Sequence, residues 1–161
     1  MNLKHFFLLF VMLIFVLSSC STTKNVKTTK AVSISKSDKV VANALQFKGV
    51  KYKYGGITNK GMDCSGIVFV AYKKENIQLP RVSKQMAKTG KKVGLKSAKK
   101  GDLIFFKTAK KGAGINHVGL IVSVNNGQVN FIHATTSKGV IVSSLSNPYW
   151  KKAFVKVNRI L

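Results

Sequence analysis

The sequence predicts an α+β domain, with helices in its first half and an antiparallel sheet of about five to six strands in its second. Three observations carry that expectation. Caps and apolar faces of helical spacing lie between Asp38 and Thr89. Short segments rich in Val, Ile and Phe, divided by turn signals, fill Asp102 to Asn158. The composition turns globular only from about Asp38, which leaves about 120 residues, enough for one core and too few for two.

The chain opens on segments that stand apart from this domain. Lys4 and His5 form a short basic region, Phe6 to Leu17 is an unbroken apolar stretch, and Leu17-Ser18-Ser19-Cys20 follows. The stretch is shorter than the roughly 20 residues a spanning helix needs and suits a secretory signal. Small residues before a cysteine match the lipobox of bacterial lipoproteins. Residues 1–19 are therefore expected to be a lipoprotein signal peptide, with Cys20 the lipidated mature N-terminus. An ordinary signal peptide or a signal anchor is the alternative. Residues 20–37, rich in Ser, Thr and Lys and without apolar period, are expected to form a flexible tether. The folded domain is expected over residues 38–161. Ser21 directly after Cys20 points to a cell-envelope lipoprotein of the outer membrane, facing the periplasm.

Within the domain, Val40, Val41, Ala44, Leu45 and Phe47 give an amphipathic helix from Asp38 to Phe47. Gly49 to Gly61 carries four glycines and reads as a loop. Asp63 caps a second helix that runs to about Asn76 and opens on Cys64. Pro80 breaks the chain, and Ser83 to Thr89 adds a helical turn. Strands are expected at Asp102–Lys107, His117–Val124, Val129–Ala134, Val140–Ser143 and Phe154–Asn158, joined as a meander. The clearest turns are Lys110 to Gly114 and Asn125-Asn126-Gly127.

Charge narrows the class of partner. The chain has 28 Lys+Arg against 4 Asp+Glu, a formal +24. Such a balance suits a nucleic-acid binder. Yet the basic residues are spread as Lys-Lys pairs, without an Arg-rich arm or a stacking-aromatic motif. With an export signal, anionic envelope polymers and lipid headgroups are the expected partners, and nucleic acid is not.

The chemistry centres on Cys64. A helix N-terminus carries positive partial charge and free N–H groups, which favour thiolate over thiol. A buried structural cysteine is the alternative. Two cysteines in an exported chain suggest a disulfide, but lipidation of Cys20 leaves Cys64 a lone thiol outside the cytoplasm. A nucleophilic cysteine needs a base and a group that orients the base. The domain offers two histidines, His117 and His133, each in a strand segment. Neighbouring strands can place both imidazoles on one sheet face, with the cysteine helix packed against it. No spacing suggests a metal site, and no cofactor is expected.

These segments resemble the NlpC family of cell-wall cysteine peptidases, a papain-like α+β group. The resemblance rests on Tyr52-Lys53-Tyr54-Gly55-Gly56, Asp63-Cys64-Ser65-Gly66, Leu79-Pro80-Arg81-Val82-Ser83-Lys84-Gln85, Gly101 to Phe106, His117-Val118-Gly119-Leu120-Ile121, and His133, in that order. In layout the chain resembles the Spr-type murein endopeptidase lipoproteins. The resemblance implies that Cys64 is the nucleophile, His117 the general base, His133 its orienter, and Tyr52 a donor to the oxyanion. It implies substrate contacts at Asp63 and Ser65, while Arg81, Ser83 and Gln85 line the groove or hold the loop. It further implies an endopeptidase that acts through a thioester on peptidoglycan stem peptides. The bond is γ-D-glutamyl–diamino acid, or D-alanyl–diaminopimelate as in the Spr-type members. A monomer without a metal is expected. The alternatives are a related wall amidase or acyltransferase, and a non-catalytic wall-binding lipoprotein.

Overall fold

The computed structural model describes residues 34–109 and 114–161. The expected signal peptide, Cys20 and nearly all of the expected tether lie outside the described residues, as does most of the Lys110–Gly114 turn. No helix among the described residues is long and apolar enough to cross a membrane.

The first helix, α1 (Lys36–Leu45), begins two residues before the expected Asp38. Ser35 is its cap: the Ser35 hydroxyl accepts from the Asp38 N–H and donates to the Asp38 carboxylate at 2.7 Å. Asp38 sits in the first turn, where the helix dipole favours a negative charge. The glycine-rich loop that follows holds a small hairpin, β1 (Ile57–Thr58) with β2 (Gly61–Met62). Next comes α2 (Cys64–Lys73), capped by Asp63. Its end explains why the helical pattern ran on to Asn76. Asn76 adopts a left-handed φ of 60°, the Asn76 N–H bonds to the Lys73 carbonyl, and the Ile77 N–H reaches back to that of Tyr72. That is a Schellman closure. Ser83–Met86 (α3) is one short turn.

The six-stranded sheet runs in the order β3 (Lys91–Val93), β8 (Phe154–Arg159), β4 (Leu103–Phe106), β5 (His117–Asn125), β6 (Gln128–Thr135), β7 (Gly139–Ser144), with every pair antiparallel. The expected meander is corrected in one respect. Strands β4 to β7 do follow one another, but β8 crosses back to lie between β3 and β4. Strand β3 and a six-residue helix, α4 (Pro148–Ala153), were not expected from the sequence. The Asn126-Gly127 turn between β5 and β6 has φ of 48° and 79° in its two central residues, the backbone a tight hairpin requires.

The sheet separates two cores. On one face α1 and α2 pack Val40, Val41, Ala44, Ile67, Val68 and Ala71 against Leu103, Phe105, Val118, Leu120, Ile132 and Ala134. On the other, Ile104, Phe106, Ile121, Phe131 and Val157 pack beneath Trp150 of α4. Every β4 residue is buried, as a central strand covered on both faces must be.

Candidate active site

Asp63 builds the start of the cysteine helix. One carboxylate oxygen accepts from the Gly66 N–H at 2.6 Å, and the other from the Gly55 N–H at 2.8 Å. The Arg81 guanidinium adds a fork, 2.9 Å to one oxygen and 2.7 Å to the other. Arg81 also donates to Ser65 Oγ and to the Gly56 carbonyl, and Ser65 donates to Asp63. Burial alone would raise the Asp63 carboxyl. The Arg81 fork and the Gly66 and Gly55 N–H groups outweigh it and hold the acid below its ordinary value. A carboxylate has about four lone-pair sites, and these partners fill them. Asp63 nonetheless borders the cleft beside Cys64. Ser65 and Arg81 belong to this cluster and border the cleft with it. Gly66 has no alternative residue here, because a Cβ would collide with the Gly56 carbonyl oxygen.

The cluster sets Cys64 at the first position of α2, half-buried and without a disulfide partner among the described residues. The sequence favours a thiolate at this helix start; the structure does not. Burial pushes the thiol up, and the Asp63 charge adds to it. The N–H groups of Val118, Ser65 and Cys64 itself pull the other way without prevailing.

His117 and His133 are brought together. His117 Nε2 lies 3.0 Å from His133 Nδ1, and His133 Nε2 lies 2.9 Å from Ser143 Oγ on β7. His117 Nδ1 takes part in no hydrogen bond among the described residues, so it is the free nitrogen of the pair. Burial lowers His117 to about 4; burial, and then the His117 charge, lower His133 to about 3. Both rings are neutral near pH 7.

One expectation about the layers is corrected. Both imidazoles share a sheet face, but α2 packs on the opposite one, because Val118 and Leu120 alternate with His117 and Gly119 along β5. The imidazole face is covered by Trp150, stacked on His117 with ring centroids 5.3 Å apart and edge-on to His133 at 4.5 Å. Thiol and imidazole border the same cavity near the start of β5, where the Val118 N–H is directed at the sulfur.

An open cleft runs over this point. A cavity of about 570 Å³ is lined by Tyr52, Cys64, His117, Lys138, Ser143 and Trp150. A second, of about 540 Å³, continues past Tyr52 and Cys64 to Asp63, Ser65, Arg81, Ser83 and Asn116. Tyr52 borders both. Burial, followed by the Cys64 and Asp63 charges, raises its phenol, which therefore stays a donor. Gln85 lines neither cavity. Among the described residues no group of acidic, His and Cys side chains is arranged to hold a metal.

Sequence reasoning did not find Trp150 or Ser143. Asn147-Pro148 was a signal for the first: Asn147 caps α4 and Pro148 is its first residue, a helix start that carries the chain's one Trp to the site. For Ser143 there was none, because its place depends on the β6–β7 register.

The profile of the NlpC/P60 family matches residues 49–159. The chain is 36% identical over 116 residues to the "Murein DD-endopeptidase MepS/Murein LD-carboxypeptidase" of Escherichia coli K12, a match over 71% of this chain and 58% of that protein. It is 43% identical over 115 residues to the "Probable endopeptidase NlpC" of the same organism, covering 70% of each. A crystal structure of an NlpC/P60 family protein from Bacillus cereus superposes with a TM-score of 0.70 at 28% identity, over 78% of this chain and 40% of that one.

Proposed function

The chain belongs to the NlpC/P60 family, and from that membership we propose that it is a cysteine peptidase cutting peptidoglycan stem peptides. The observation that carries the reading is the shared cleft, in which a free cysteine at a helix start opens beside a histidine whose second nitrogen is already engaged.

Cys64 and His117 start as neutral thiol and neutral imidazole. As the thiol attacks the scissile carbonyl, His117 Nδ1 takes its proton. The imidazolium that forms is held through Nε2–H by His133 Nδ1. The negative charge on the carbonyl oxygen falls to the Cys64 N–H at the helix start and to the Tyr52 hydroxyl. Collapse of the tetrahedral adduct passes the proton from His117 to the leaving amine and leaves a thioester on Cys64. Water then attacks the thioester with His117 as base and regenerates the thiol. The bond is γ-D-glutamyl–diamino acid or D-alanyl–diaminopimelate.

Purified muropeptides incubated with the full chain and with its Cys64→Ala variant, then identified by mass, test this reading. The intact chain is expected to release one set of cut peptides and the variant none. Uncut muropeptides would count against the peptidase, and equal cleavage by the variant would remove Cys64 from the mechanism. The same products identify the bond.

Lipidation of Cys20 and retention in the outer membrane complete the proposal, since the tether would hold the catalytic domain close to its polymer. A Cys20→Ser chain is expected to leave the membrane pellet for the soluble fraction; retention would sink the anchor.

A further inference from the structure

The histidine pair does not end at His133. Its outer nitrogen meets Ser143 Oγ at 2.9 Å, on an edge strand that also lines the larger cavity. His133 itself is completely buried. Both imidazoles are neutral, so each ring carries one N–H, and the row can run in only two ways. In one, the Ser143 hydroxyl donates to His133 Nε2, His133 Nδ1–H donates to His117 Nε2, and His117 keeps its proton on Nδ1. That nitrogen then has no lone pair for a thiol proton. In the other, His117 Nε2–H donates to His133 Nδ1, His133 Nε2–H donates to Ser143 Oγ, and His117 Nδ1 is bare.

We propose that Ser143 is a positioning residue that selects the second arrangement by accepting the His133 Nε2–H and turning its own hydroxyl hydrogen into the cleft. The inference rests on the reading of His117 as the base. Three features support it. Ser143 is half-buried and faces the cavity, so its hydroxyl hydrogen finds acceptors there. His133 is sealed from water, so without an acceptor on Ser143 its Nε2–H would be unpaired, which a buried donor avoids by moving its proton to the other nitrogen. The second arrangement also survives catalysis unchanged: when His117 gains the thiol proton at Nδ1, neither hydrogen bond in the row reverses. Ser143 acts only through His133 and touches no reacting atom.

Two measurements on the full chain test this without wall substrate. Long-range nitrogen–proton spectra of histidine-labelled protein report which ring nitrogen is protonated. The unsubstituted chain is expected to show His117 and His133 both protonated at Nε2. Ser143→Ala is expected to move the proton to Nδ1 in both rings, and Ser143→Thr to restore the original pattern. Alkylation of Cys64 by iodoacetamide, in which the sulfur displaces iodide and its proton passes to His117, is expected to slow about tenfold in Ser143→Ala at neutral pH and to recover in Ser143→Thr.

A His117 already protonated at Nδ1 in the unsubstituted chain overturns the proposal without any variant, so a Ser143→Ala chain that fails to fold leaves it decidable. Slower alkylation with unchanged tautomers also overturns it, because the effect is then merely structural. So do shifted tautomers with unchanged alkylation. If the tautomers respond as expected while muropeptides stay uncut, the peptidase reading fails and the role of Ser143 stands.

Discussion

At the scale of single residues the site is a set of side chains whose second contacts matter as much as their first. Asp63 shows this best. It caps α2, restrains the Gly55-Gly56 loop and grips Arg81, so it places Cys64 while bordering the cleft itself. Truncating Arg81 to Ala would leave a carboxylate with only 10% of its side chain exposed and without its cationic partner. Urea unfolding is expected to show a loss of about 2–3 kcal/mol for Arg81→Ala, and an unchanged midpoint would show the fork to be worth little. Cys64, His117 and His133 were legible in the sequence because chemistry-bearing residues are few in this domain. The Arg81 fork on Asp63 was not, since it joins two segments that only the fold brings together.

Elements built from local rules could be read directly, and those built from long-range packing could not. The cysteine helix declared itself through its cap, and the β5–β6 hairpin through Asn126-Gly127. The return of β8 to pair with β4 leaves no local trace, because strand order is decided by which apolar faces meet. Helix α4 is six residues long, too short to hold itself together in water. Its security comes from Asn147, which accepts from the Tyr149 N–H at 3.0 Å, and from Trp150 packed on Phe106 and Phe131. Removing the cap with Asn147→Ala is expected to lower stability by about 1 kcal/mol, read as a shift in the urea midpoint. Hydrogen exchange should then speed up in α4 while α1 and α2 stay protected. Uniform acceleration would mean that α4 does not open by itself.

For the molecule as a whole, burying two neutral histidines ties the fold to pH. Both rings are protonated far more readily in the unfolded chain, where an imidazole has its ordinary value near 6.5, than in the fold, where they fall to about 4 and about 3. The unfolded chain therefore binds more protons between those limits, and stability must fall as pH drops from 6.5 through 4. Asp63 runs in the same direction but lower down, because its folded acid lies below the ordinary carboxylate value and its contribution disappears only as pH falls through that range. Thermal melts are expected to show a falling midpoint from pH 6.5 to 4. His133→Asn should flatten that slope, and an equal slope in the variant would place its source elsewhere. The four acidic residues all have partners within the fold: Asp38 with Lys100 at the surface, Asp63 with Arg81, Glu75 with Asn43 and Asp102 with Arg159. Among the described residues, most lysines are thus left exposed and without an acidic partner.

The placement of Trp150 turns the site into its own optical gauge. It is the chain's one indole, and it lies flat on one imidazole and edge-on to the other. An imidazolium quenches indole emission where a neutral ring does not, so the protein's indole emission reports the protonation of the pair. Acid titration of the native chain is expected to dim the fluorescence near pH 4, and a His117→Asn chain should lose that step. No dye or substrate is needed, so the charge on the histidine pair can be followed in the resting protein.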